Sequence, residues 1–176
     1  PWIRNGKSKP PIQEDETAIT LVALGEYYTI VRDVEYIEKL YNPYIKKIAD
    51  FLVSYRDAKT HLPLPSHDLW EERYAVFTYT AASVYGALVH AARFAHVLGK
   101  DDDEARWRNA AQEVKDAICT YLISEEGDIY KSVYVEDGAV RDVDRTVDVA
   151  GWFGLFRFEV YVPEEPVLEK GLARGL

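Results

Sequence analysis

Apolar side chains return every three to four residues along most of this chain, a spacing that admits little besides packed helices. Over residues 15–32 the repeat is carried by Ala18, Ile19, Leu21, Val22, Leu24, Tyr28 and Val31. Asp33 then reads as a cap ahead of a short helix over 34–41. Asn42-Pro43 reads as a fresh helix start, a cap followed by proline in the first turn, and Ile45, Ile48, Ala49, Leu52 and Val53 continue the pattern. A further helix is expected over 78–98, closed by Gly99. Its small residues, among them Ala81, Ala82, Ser83, Gly86 and Ala87, permit close approach of neighbours. Asp101-Asp102-Asp103-Glu104 suits the first turn of the next helix, where negative charge meets the positive end of the helix dipole.

Two stretches break the helical pattern. Residues 58–78 contain Pro63 and Pro65, which exclude regular helix. A long connection of this kind inside a compact domain is often functional. Residues 127–145 switch to a two-residue period around Asp137-Gly138, the signature of a β-hairpin. Helix is expected again over 146–158, and Pro163 and Pro166 bound a last short one. The sum is an all-α chain of helical pairs with one small hairpin, and no linker divides it.

The net charge of -9 and the scatter of Lys and Arg exclude a nucleic-acid footprint; a neutral or cationic substrate fits better. No apolar run approaches the roughly 20 residues of a membrane span, so no membrane partner is expected. The single cysteine, Cys119, rules out a disulfide framework within the chain and favours a cytoplasmic location. It sits in an apolar helical stretch and is expected to be a core thiol. His61, His67, His90 and His96 have no metal-spaced partners, so no metal and no cofactor is expected. The chain starts at Pro1 and has no methionine, so residue 1 is not expected to be the encoded start.

The densest chemistry is His67-Asp68-Leu69-Trp70-Glu71-Glu72-Arg73, just after the proline-rich stretch. Adjacent carboxylates repel, and one of them is pushed towards its protonated form; an indole beside them excludes water and pushes further the same way. A carboxylic acid still protonated near neutral pH can deliver a proton to a leaving glycosidic oxygen. Asp68 and Arg73 are placed to fix the ionised partner and to orient hydroxyl groups. The same residues also fit an ordinary helix start, with Arg73 as a surface ion-pair partner. The 13 tyrosines and 4 tryptophans serve either reading, as helix packing or as faces for sugar rings.

The run from Pro65 to Arg73, followed by Phe77-Thr78-Tyr79-Thr80-Ala81-Ala82-Ser83-Val84-Tyr85-Gly86, resembles the central motif of glycoside hydrolase family 15, which holds glucoamylases, glucodextranases and some microbial trehalases. Pro11-Ile12-Gln13-Glu14-Asp15-Glu16-Thr17-Ala18 and Thr146-Val147-Asp148-Val149-Ala150 are similar to segments of its prokaryotic members, in the same order. The resemblance implies an (α/α)6 barrel, of which residues 1–176 would supply about half. It implies that Glu71 is the general acid. Trp70 and Glu72 would line sugar subsites, the Leu69 carbonyl would hold a hydroxyl of the terminal glucose, and Asp68 would support the acid's loop. The family's upstream Arg-Asp pair and its distant glutamate base have no counterpart here.

An inverting hydrolase needs that base roughly 6.5–9.5 Å from the acid, across the ring. The expectation is therefore part of an enzyme that releases glucose from the non-reducing ends of α-glucans by inversion, inactive as an isolated piece. The alternatives are a trehalase of the same family, acting on a glucose disaccharide, and a non-catalytic helical module that binds sugar or protein. Half a barrel would expose apolar helix faces and associate through them.

Overall fold

In the computed structural model, residues 3–4, 7–8, 12–67, 69, 73–162 and 166 are described. Helix α1 (Glu14–Val31) opens with Glu14, Asp15 and Glu16 in its first turn, where the dipole favours them. It stops at Arg32, whose left-handed backbone (φ 59°) brings its N–H to the Tyr28 carbonyl. The Asp33 carboxylate accepts from the Tyr36 N–H at 2.9 Å and so starts α2 (Val34–Leu40). Asn42-Pro43 is not a fresh start: a π-helical turn, Tyr41–Ile45, carries the chain from α2 straight into α3 (Lys46–Ser54). Proline brings no N–H to the ladder, and the widened turn absorbs the missing bond without ending the helix.

The remaining helices are α4 (Thr78–Val97), α5 (Asp101–Ala117) with a π-helical turn Ile118–Leu122 behind it, and α6 (Val149–Arg157). Two short strands near the start, β1 (Ile3–Arg4) and β2 (Lys7–Ser8), pair antiparallel. The expected hairpin is β5 (Ser132–Glu136) with β6 (Ala139–Asp144). Positive φ at both Asp137 (55°) and Gly138 (70°) gives the turn whose twist suits such a hairpin. The sheet is larger than the sequence suggests. Strand β4 (Tyr74–Phe77) pairs with β5, and β3 (Ser66–His67) pairs with β4, giving an antiparallel order β3-β4-β5-β6.

Side-chain pairings show two layers of helices. Along α1 and α4, Gly25 meets His90, Tyr28 meets Phe94 and Thr29 meets Arg93, so these helices run parallel. Helix α6 runs the same way, since Gly151 lies against Thr78, Gly154 against Tyr79 and Phe158 against Gly86. Behind them, α3 and α5 run parallel to each other: Lys46 pairs with Asp103, the Trp107 indole donates to Asp50 at 3.0 Å, and Arg56 pairs with Glu113 at 3.0 Å. Helix α5 turns back on α4 through Leu98-Gly99-Lys100, as the 2.9 Å contact of His96 with Glu104 reflects.

Helix α4 is the centre of this arrangement. Its Ala81, Ala82, Ser83, Ala87, Leu88, Ala91, Phe94 and Ala95 are buried, and the small ones let α1, α5 and α6 come close. Each fully buried Leu or Phe on it contributes about 1.5–3 kcal/mol from apolar area alone. The flanking front-layer helices differ: α1 leaves Ile19, Tyr27 and Ile30 exposed, and α6 leaves Val149, Phe153 and Phe156 exposed.

Three further expectations meet the structure. The acids at 101–104 do form the first turn of α5, although Asp103 is used elsewhere: it accepts from Lys46, from Arg106 at 2.7 Å and from the Tyr41 hydroxyl at 2.8 Å. Cys119 is exposed, not a core thiol, because the turn at 118–122 buries Ile118 and Leu122 and leaves Cys119 on the other side, 2.7 Å from the Tyr161 hydroxyl. The helix expected between Pro163 and Pro166 lies outside the described residues.

Candidate active site

Helices α1, α4 and α6 all point their N-termini to one end of the front layer, and the long connections of the chain gather there. Residues 55–77 enter α4 and residues 123–148 enter α6. Within the first connection, Ser66 pairs with Ala75 and His67 with Tyr74, so β3 and β4 form antiparallel strands on either side of the motif. Two prolines upstream do not prevent it, since strand β3 is only two residues long and Pro63 itself sits in a bridge with Arg56.

Of the residues expected to act here, Leu69 is described and exposed. Arg73, also exposed, donates to Asp144 at the end of β6 at 2.6 Å. Asp144 is held below the usual carboxylate range by hydrogen bonds from Thr146 and, to a lesser degree, by the charge of Arg73. Asp68, Trp70, Glu71 and Glu72 lie outside the described residues. A hollow of about 400 Å³ opens beside Arg73 and is lined by Tyr74, Tyr134, Asp142 and Asp144. Tyr74 and Tyr134 are 60% and 51% exposed, so ring faces and carboxylates stand together at a surface that could meet a sugar. A larger hollow, about 490 Å³, lies at the opposite ends of the front helices between Glu26, His90, Arg93 and Arg157, remote from this one.

Below the hairpin, Glu14 and Asp15 are almost completely buried, each 1% exposed. Burial is the largest cause that raises the Glu14 carboxyl to about 7; the Asp15 charge adds to it, while the helix amide and the Ser66 hydroxyl work against it. Neither Glu14 oxygen makes a hydrogen bond of normal geometry. Tyr55 is raised by burial and then by the nearby charge of Glu14; Tyr79 is raised by burial and then by Asp15. The sequence pointed to acids at a helix start but gave no sign that Glu14 is interior. The signal that was there is the neighbouring polar run Gln13-Glu14-Asp15, of which all three are buried.

The four histidines stand apart: His61 near Glu113, His67 edge-on to Tyr74, His90 against Gly25, and His96 on Glu104. No group of three metal-binding side chains occurs among the described residues. Among them, too, no helix is long and apolar enough to cross a membrane.

Comparison with known proteins bears on the family. The family model described as Glycosyl hydrolases family 15 matches residues 6–159. An uncharacterized glycosyl hydrolase of Methanocaldococcus jannaschii is 28% identical over 154 residues, a match that covers 85% of this chain and 23% of that protein. The chain therefore spans about a quarter of the length of the curated relative it matches.

Proposed function

This chain belongs to glycosyl hydrolase family 15, and from that premise we propose that it is part of an inverting, glucoamylase-like hydrolase that frees glucose from the non-reducing ends of α-glucans. Glu71 is the general acid. It gives its proton to the glycosidic oxygen as an oxocarbenium-like transition state forms, and a base carried by the remainder of the protein activates water on the other face of the ring. Trp70, Glu72 and the Leu69 carbonyl bind the sugar, and Asp68 and Arg73 hold the loop.

The observation that supports the reading is the pairing of β3 with β4, the strands on either side of the acid-rich motif, at the N-terminal rim of α1, α4 and α6. Arg73, the residue before β4, donates to Asp144, and the exposed Tyr74 and Tyr134 stand beside that pair. Strands β3 and β4, held on a packed helical layer on either side of the motif in sequence, support the reading of Glu71 as a positioned proton donor. A non-catalytic binding module has no use for such an acid.

The full architecture we propose is the (α/α)6 barrel, with α1, α4 and α6 as half of an inner ring. The exposed apolar stripes of α1 and α6 are then the edges to which the further helices of a longer protein attach. The length of the relative supports this, since the match covers 23% of it.

The test is Glu71→Gln in the intact protein, assayed on maltose, longer α-1,4 and α-1,6 glucans, and trehalose. Loss of several orders of magnitude in kcat with sugar binding kept supports the acid role. An unchanged rate removes Glu71 from the mechanism, and turnover of trehalose alone moves the substrate to that disaccharide.

A further inference from the structure

One row of residues crosses all four strands of the sheet on a single face. Ser66 of β3 pairs with Ala75 of β4, and Tyr134 of β5 pairs with Asp142 of β6. Between them, the antiparallel register of Val76 with Val133 brings Ala75 opposite Tyr134. Alternation along the strands puts Ser132 and Asp144, also a pair, on the same face. Exposure rises along the row. Ser66 is buried, Ala75 is half-buried, and Tyr134 and Asp142 are exposed. The row therefore runs from the packed rim of the helical layer out to solvent.

The hollow of about 400 Å³ lies along this row. The short side chains of Ala75 and Ser132 leave its space, and Tyr134, Asp142 and Asp144 border it. Its volume falls in the range of small-molecule sites. Asp144 is engaged by Arg73 and by the Thr146 N–H. Asp142 accepts the Val143 N–H at 2.8 Å on one oxygen, and a carboxylate has acceptor capacity beyond that. An aromatic ring directly across from a carboxylate suits a pyranose: the C–H face of the sugar packs on the ring, and its hydroxyls donate to the acid.

We propose that this face is a further sugar subsite, with Tyr134 as the platform and Asp142 as the hydroxyl acceptor, which holds rings of an α-glucan beyond the pair that is cleaved. The inference rests on the reading of the chain as part of a glucan hydrolase. An enzyme that takes glucose from a chain end admits only that end, so the leaving side of the glucan lies along the rim, where this face stands. Tyr134 and Asp142 do not touch the cleaved bond; they set the preference for long chains over disaccharides.

Calorimetry with maltoheptaose and with maltose on the intact Glu71→Gln protein tests this. Adding Tyr134→Ala is expected to weaken maltoheptaose binding about tenfold and to leave maltose within about twofold. Tyr134→Phe, which keeps the ring, is expected to bind both as the parent does. With Glu71 retained, Tyr134→Ala is expected to raise KM for maltoheptaose about tenfold, with a much smaller change in kcat. Should Tyr134→Ala fail to fold, Ala75→Leu, which fills the hollow, decides by the same measures.

Maltoheptaose affinity unchanged by Tyr134→Ala overturns the proposal, and so does an equal loss for both sugars. The two readings fail separately. Glucan hydrolysis that survives Glu71→Gln, with KM still raised by Tyr134→Ala, keeps the subsite and removes the acid. Hydrolysis abolished by Glu71→Gln, with Tyr134→Ala silent, keeps the acid and removes the subsite.

Discussion

Arg73 donates to Asp144 at 2.6 Å, which ties the residue before β4 to the end of β6. The pair joins the connection that enters α4 to the one that enters α6. Arg73 is 62% exposed and Asp144 17% exposed at the side chain, so the ion pair itself is worth at most about 1 kcal/mol to stability. Its effect on loop orientation is expected to be larger. Arg73→Ala in the intact protein should lower kcat/KM on glucan about tenfold, mainly through kcat, while the melting temperature stays within a few degrees. Equal kcat/KM in the variant would show that the loop keeps its orientation without this tie.

A second prediction concerns Gly25. A methyl group there would come within 2.1 Å of His90 Nδ1, far inside contact distance. Gly25→Ala should destabilise the protein by about 1–3 kcal/mol as α1 and α4 are forced apart or the imidazole is driven from its place. Adding His90→Ala should recover part of the loss. Urea denaturation of the single and double variants would settle it, and a Gly25→Ala protein as stable as wild type would refute the close approach.

Asp103 governs stability on the acid side. Burial works against its ionised form, but hydrogen bonds from Lys46, Arg106 and Tyr41 outweigh it and bring the carboxyl to about 2, below its ordinary 3.8. The folded state thus holds its proton less tightly than the unfolded chain does. The stabilisation is present above about pH 4 and is lost as pH falls towards 2, and it amounts to about 2 kcal/mol. Asp103→Asn should cost about that much at pH 7 and flatten the fall in stability between pH 4 and 2, as followed by denaturation at a series of pH values.

Glu14 acts with the opposite sign. Its carboxyl is raised from 4.5 to about 7, so the folded protein binds the proton more tightly than the unfolded one. Stability from this group is complete below about pH 4.5 and declines as pH rises to about 7, a loss on the order of 3 kcal/mol. Glu14→Gln should remove the decline over that interval. A melting temperature with the same slope against pH in both proteins would contradict it.

Much of the helical frame was legible because its causes are local. The three-to-four spacing located α1, α3, α4 and α5, Asp33 marked the start of α2, and Asp137-Gly138 marked the turn between β5 and β6. What was not legible depends on partners distant in sequence. Strand β3 has two residues and no pattern of its own; only pairing with β4 defines it. The π-helical turn at Asn42-Pro43 imitates a helix start until the uninterrupted course from α2 to α3 is seen. Cys119 looks apolar by its neighbours and is exposed by the register of a widened turn. The burial of Glu14 and the bond from Arg73 to Asp144 arise from packing of separate segments, which no local pattern announces.

The front helices share one direction, and this divides the labour between their two ends. At the far end the turns are tight, Arg32-Asp33 and Leu98-Gly99-Lys100, and they set the spacing of one helix from the next. At the near end the chain travels over 55–77 and 123–148 before each return. Insertions and substitutions in those excursions alter what the rim recognises without changing how the helices are spaced, so related proteins are free to diverge in specificity while keeping a common scaffold.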